Sequence, residues 1–357
     1  MGHYWSRRQV LQAGAATAAT VALGSCQRAR QTVQSPLYIY TWSTYVDRQL
    51  TDEFTRRTNI PVVVDTYDSN EAMLAKLQAG GGKDYSLIYP SDYMVTQMRE
   101  LGLLLPLDAA KMPSLDRLYP RFRKADFDPG NRYSVPLYWG TTGIVYNRKQ
   151  VGQPITDWDD LWSRQAQLQQ KFTLINDSRE TLGMSLKRLG FSYNPTQPQQ
   201  LTQAYKALVQ LKPAIASFIT DAWKDPLLAG DYWLVMAYSS DAGQVLAENS
   251  DLVYVVPKSG SSFWIDTMAI PKTAPNAAAA YQWIEMLLEP PIAAGATERL
   301  KVATSVEGAR ALLPENLRNN STLFPAEDIL ARCESLKPLP EAMTAAFDRY
   351  WTQLTSG

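Results

Sequence analysis

The chain predicts an α/β fold, and three observations carry that expectation. Short β-rich runs alternate with segments of helical periodicity from residue 37 onward. Such alternation builds mostly parallel sheets covered by helices on both faces. At 357 residues with 45% hydrophobic content, the chain exceeds one ordinary core, so two packed units are expected. It has neither internal repeats nor a low-complexity linker. Two α/β units without a linker must share strands that cross between them.

Residues 37–41 (LYIYT) read as the first strand, and Val46, Leu50 and Phe54 then recur at four-residue spacing, one face of a helix. Residues 61–65 (PVVVD) are the next strand, and a helix over 71–79 is closed by Gly80, Gly81 and Gly82. A third strand at 85–89 precedes a helix opening near Ser91. The second series begins with a long extended segment, 133–146 (YSVPLYWGTTGIVY), broken by Pro136 and Gly140. Strands at 172–176, 232–237 and 252–256 follow, with helices between them. Then come SFWIDTMAIP at 262–271 and an Ala-rich helix around 276–288. The segments 133–146 and 257–262 (PKSGSS) look like the two crossings. The expected division is residues 36–140 and 260–308 in one lobe, with 141–259 and 309–357 in the other. Sites in such folds lie at strand C-terminal ends and in the cleft between lobes.

Composition excludes several chemistries. Lys+Arg and Asp+Glu both count 35. The first 25 residues contribute Arg7 and Arg8 and no acid, so without them 33 bases face 35 acids, a net −2. No basic surplus points to nucleic acid. The single histidine, His3, lies in the N-terminal segment, which removes Ser-His-Asp and Cys-His catalysis and argues against zinc, copper or non-haem iron. Cys26 and Cys333 cannot make a disulfide framework, and neither a metal nor a cofactor is expected.

The N-terminus reads as an address. Residues 6–11 (SRRQVL) resemble a twin-arginine export signal, followed by a weakly apolar stretch at 13–23. That stretch is shorter than the ~20 residues a bilayer requires and suits the apolar region of a cleaved signal. Residues 23–26 (LGSC) resemble a bacterial lipobox, in which Cys26 would be lipidated and become the first residue. The alternative is an ordinary cleaved signal with Cys26 incidental. Either way the protein is expected in the cell envelope or periplasm, tethered by a lipid at most.

Several chemistry-bearing residues sit at the ends of predicted strands. Trp42, Ser43 and Tyr45 follow the first strand, Ser91 and Tyr93 the third, and Tyr238 ends the strand at 232–237. Trp264 and Asp266 lie two apart in an apolar strand and therefore share a face. A lone carboxylate there costs several kcal/mol unless paired, so Asp266 calls for a cationic partner, from the chain or from outside. Asp177 and Glu180 open a helix and also fit a capping box, Asp241 is equally a possible helix cap, and Asp92 reads as a cap. Held together in a cleft, such carboxylates and aromatic walls would select a molecule with a cation at each end and an apolar stem.

Taken together, YTWSTYV (40–46), YDSNEAMLAKL (67–77), YSLIYPSDYMV (85–95), YSVPLYWGTTGIVYN (133–147), INDSRETLGMSLKRLG (175–190) and FWIDTMAIP (263–271) resemble the substrate-binding proteins of bacterial spermidine/putrescine ABC importers. The resemblance spans residues 37–354 and implies a two-lobed type II periplasmic binding protein fold with a ligand cleft between the lobes. It further implies that Trp42 and Tyr45 line one wall beside Ser91 and Tyr93, with Ser43 alongside. Asp177 and Glu180 would hold one ammonium, Tyr238 and Trp264 would stack on the stem, Asp266 would bind an amine, and Asp241 resembles an additional acid of putrescine-type members. Thr44, Val302 and residues 336–337 depart from the family pattern. The implied role is capture of a polyamine by a monomeric binding protein and delivery to permease subunits, without catalysis. Alternatives are the same fold binding another organic cation (an opine, a thiamine-like cation) or a metal complex, a sensor without transport, and a glycosidase using Asp177 and Glu180.

Overall fold

The computed structural model describes residues 35–356. The twin-arginine stretch and Cys26 lie outside the described residues.

Ten strands form one continuous sheet, ordered β2-β1-β3-β9-β4-β7-β5-β6, with β8 and β10 also paired to β4. In chain order the main elements begin with β1 (Leu37–Trp42), α1 (Arg48–Thr58), β2 (Val62–Tyr67), α2 (Asn70–Gln78), β3 (Leu87–Ile88) and α3 (Asp92–Glu100). Next come β4 (Ser134–Asn147), β5 (Phe172–Leu174), α4 (Ser178–Arg188), α5 (Pro198–Leu211), β6 (Ile215–Phe218), β7 (Leu234–Tyr238) and α6 (Ser239–Glu248). The series closes with β8 (Leu252–Val255), β9 (Phe263–Ala269), α7 (Ala277–Leu287), α8 (Pro290–Leu300), β10 (Ala303–Thr304) and α9 (Glu341–Thr355). Pairs β1–β2, β1–β3, β5–β6 and β5–β7 are parallel, each strand returning through helical chain, whereas β4 and β9 run antiparallel to their neighbours.

The fourteen-residue β4 belongs to both ends of this sheet. Residues 134–141 pair with β9 and residues 142–146 with β7, because its near-continuous apolar sequence lets it be buried along almost its whole length. Each half has its own apolar core. Leu37, Phe54, Tyr89, Trp283 and Ile284 belong to one, and Phe172, Leu174, Leu208, Met236 and Phe347 to the other.

The chain passes between the halves three times. The second passage is residues 257–262, between β8 and β9. The third lies near Glu334, whereas the expected division of the chain put it at residues 308–309. Leu313, Leu317, Leu323 and Phe324 pack in the first core, while Met343, Phe347 and Leu354 of the C-terminal segment pack in the second. The expected start of the last second-lobe segment at residue 309 therefore moves to the neighbourhood of Glu334, because apolar burial keeps the intervening turns on the first half. The three passages are bonded side by side: Thr142 N–H donates to Ser262 O at 3.2 Å, Glu334 N–H to Ser261 O at 2.9 Å, and Phe263 N–H to Glu334 O at 2.9 Å.

Candidate functional site

The parallel strands all end on one cavity. Trp42 ends β1, Tyr67 ends β2, and Ser91 and Tyr93 follow β3 from one half. Asn176 and Asp177 follow β5, Thr220 and Asp221 follow β6, and Tyr238 ends β7 from the other. Strand C-termini gather here because each parallel strand hands its chain to a helix at that edge. Trp264 and Asp266 reach the same space from the interior of β9, on one face as their spacing requires.

All eleven sequence-predicted contact residues line this cavity: Trp42, Ser43, Tyr45, Ser91 and Tyr93, then Asp177, Glu180, Tyr238, Asp241, Trp264 and Asp266. Thr44 lines it as well. Val302 does not, being buried in the first core, whereas Leu336 does. Asp68, Asn70, Asp92, Thr220 and Asp221 are lining residues that were not singled out as contacts.

Asp266 is 5% exposed and has no basic partner among the described residues. Its Oδ2 accepts from the Tyr45 hydroxyl and its Oδ1 from Ser91 Oγ at 2.5 Å. Asn70 fixes Ser91 in turn: its Nδ2 donates to Ser91 Oγ at 2.9 Å and its Oδ1 accepts the Ser91 N–H at 3.1 Å. Burial pushes the Asp266 carboxyl up to about 6, and the Ser91 and Tyr45 donors hold it from rising further. Neutral donors orient this acid without discharging it.

At the other end Asp177 caps α4, accepting the N–H groups of Arg179 at 2.7 Å and Glu180 at 3.0 Å. The expected capping box is only half realised. The Glu180 carboxylate faces Ser262 Oγ, 2.8 Å from both of its oxygens. Burial, then the charge of Asp177, pushes Glu180 up to about 8. Arg179 makes no ion pair with either acid; its guanidinium donates to Lys337 O and to Asn194 Oδ1 at 3.1 Å.

Asp241 needs a correction. Its Oδ1 lies 2.6 Å from Lys224 Nζ, an ion pair within the chain. Burial raises its carboxyl and Lys224 lowers it. The acid that resembles the additional one of putrescine-type members thus already has a cation, and it is not a helix cap either, since α6 begins after Tyr238. A lysine on a separate helical turn cannot be matched to it by local sequence.

The walls are aromatic and fixed. Trp42 Nε1 donates to Tyr89 O at 3.1 Å, and its indole lies 4.6 Å from the Tyr67 ring. Tyr238 meets Trp264 edge-on, with centroids 6.1 Å apart and planes at 86°. The lining contains seven carboxylates (Asp68, Asp92, Asp177, Glu180, Asp221, Asp241, Asp266) and not one Lys or Arg. Among the described residues no three acids, histidines or cysteines are grouped to hold a metal ion, so the carboxylates are spread along the cavity.

Two sheet-bearing halves, three bonded passages and a lined cavity at the strand ends define a cleft-type solute-binding protein. Comparison with known proteins agrees. The sequence pattern of the family described as "Bacterial extracellular solute-binding protein" matches residues 49–325. The chain is 35% identical over 354 residues to the spermidine/putrescine-binding periplasmic protein of Salmonella typhimurium, covering 99% of each. The spermidine/putrescine ABC transporter substrate-binding protein PotD from Streptococcus pneumoniae superposes with a TM-score of 0.79 at 35% identity, over 90% of this chain and 99% of that one. The Tp0655 lipoprotein of Treponema pallidum superposes with a TM-score of 0.82 at 28% identity, over 90% and 100%. The chain belongs to the bacterial extracellular solute-binding protein family.

Proposed function

We propose that this protein captures a polyamine, putrescine or spermidine, outside the cytoplasm and passes it to the permease of an ABC importer. One observation carries the reading: a cavity lined by seven carboxylates, no basic residue and tryptophan and tyrosine walls. Ammonium groups would meet Asp266 at one end and Asp177 with Glu180 at the other, each through charge-assisted hydrogen bonds. The methylene stem would lie against Trp42, Tyr238 and Trp264, gaining ~0.5–2 kcal/mol per cation–π contact. Contacts from both halves to one ligand favour closure about the three passages. No residue here is assigned a catalytic part, and named relatives are binding proteins of transport systems. Export through the twin-arginine route and a lipid on Cys26 complete the reading, supported by residues 6–11 and 23–26 and by the lipoprotein relative of similar fold.

Calorimetric titration with putrescine and spermidine tests it. We expect a Kd in the micromolar range or tighter for at least one. No binding tighter than ~1 mM, about −4 kcal/mol, overturns the reading.

Acid weakens capture. Glu180, at about 8, and Asp266, at about 6, are protonated more than ordinary carboxylates, and an arriving ammonium favours their charged forms. Binding therefore releases protons, and affinity should be roughly tenfold or more lower at pH 5.5 than at pH 8. The ligand-free fold responds in the opposite sense. Its acids hold protons that the unfolded chain has lost, so their contribution to stability declines as pH rises from about 4 to about 8. Thermal unfolding with and without ligand reads both effects. An equal ligand-induced shift at pH 5.5 and pH 8 would mean that these acids do not engage the ligand.

A further inference from the structure

We propose that Asp92 is a third ammonium-binding carboxylate of this cavity and selects a triamine over a diamine. The inference rests on the polyamine reading above. Asp92 lines the cavity and is 2% exposed. Its expected role as a helix cap is not realised: Ser91 holds the cap position of α3, spends its hydroxyl on Asp266, and leaves Asp92 as the first helical residue. Asp92 Oδ1 accepts the adjacent Tyr93 N–H at 2.8 Å, while the buried Oδ2 has no hydrogen-bond partner. No lysine or arginine among the described residues pairs with it.

The other deeply placed acids are all provided for. Asp266 has two hydroxyl donors, Asp177 two backbone N–H groups, Glu180 the Ser262 hydroxyl and Asp241 a lysine. An idle buried carboxylate oxygen costs folding free energy, so its presence in a ligand cavity calls for a donor brought by the ligand.

Position says which donor. The preceding residue, Ser91, holds Asp266, and the following residue, Tyr93, donates to Glu71 Oε1 at 3.0 Å. Glu71 and Arg179 both lie within the field of Asp177. Asp92 itself feels both ends. Burial mainly, and then Asp266, push its carboxyl up to about 8, while the Tyr93 N–H, the Ser335 side chain (which lies near without hydrogen-bonding the carboxylate) and Arg179 pull it back. With the terminal ammonium groups of a ligand on Asp266 and on Asp177 with Glu180, the cation left for Asp92 is an internal secondary ammonium. A diamine has no such group and leaves Asp92 protonated and neutral.

The test is calorimetry on wild type and D92N with spermidine and with putrescine, in two buffers of different ionisation enthalpy so that released protons are counted. We expect D92N to weaken spermidine at least tenfold, to weaken putrescine less than threefold, and to release fewer protons on binding spermidine. Equal losses for the two amines, no loss for either, or an unchanged proton count overturns the role of Asp92 and leaves the polyamine reading standing. Failure of wild type to bind either amine overturns both. Thermal unfolding of ligand-free D92N checks the fold, and D92S carries the same comparison should D92N be unstable.

Discussion

Asp266→Asn is expected to weaken polyamine binding by about 100-fold or more while leaving the ligand-free fold nearly as stable as wild type. Removing one member of a buried, hydrogen-bonded charge pair costs 2–5 kcal/mol in binding, and each 1.4 kcal/mol is tenfold. Asparagine preserves the shape, and the Tyr45 and Ser91 hydroxyls that hold the carboxylate can rotate to meet an amide. Without ligand the wild-type acid is itself penalised by burial, so its loss should shift stability by no more than ~1 kcal/mol. Titration calorimetry and thermal unfolding on the same preparation separate the two effects. Wild-type affinity in D266N would remove Asp266 from the ligand's charge contacts.

The second large effect is expected from Gly140→Ala, at the point where β4 leaves the first half. A Cβ on Gly140 would lie 2.3 Å from Ser239 Oγ and 2.3 Å from Trp264 Cζ2. Neither distance is tolerable, so the indole must move, and with it one wall of the cavity. Overpacking of this kind costs roughly 1–3 kcal/mol. We expect a melting temperature lower by several degrees and an affinity lower by at least tenfold. Gly143→Ala is the control: its Cβ would strike Val255 O at 2.4 Å and the Tyr254 ring, neither of which lines the cavity. It should destabilise the protein as much while affecting affinity less. Equal affinity losses in the two variants would mean that G140A acts through general loosening and not through Trp264.

What could be read from residues alone follows the range over which each determinant acts. Alternation of apolar runs and helical faces is local, and β1, β2, α2, β4 and β9 are where that pattern places them. Strands β6 and β10 escaped because four residues (IASF) and two residues (AT) carry too little pattern. The third passage was placed too early because its ladder bonds connect Glu334 to residues far away in sequence. At the cavity, Trp264 and Asp266 were legible because an acid inside an apolar strand contradicts its surroundings. Asp68 and Asp221 sit in exposed loops, where an acid contradicts nothing. Asn70 is the first residue of α2, and only the fold reveals that it grips Ser91. The ion pair between Lys224 and Asp241 depends on two turns meeting in space.

The bonded ribbon formed by Thr142, Ser262 and Glu334 has a mechanical consequence. Three tethers knitted edge to edge would bend like a leaf spring but resist sliding, since sliding would shear the bonds between them. The proposed closure of the halves would thereby be channelled into one opening angle. Ser262, in the middle tether, also touches the Glu180 carboxylate, so the pivot and a carboxylate proposed to meet the guest's charge share a single hydroxyl.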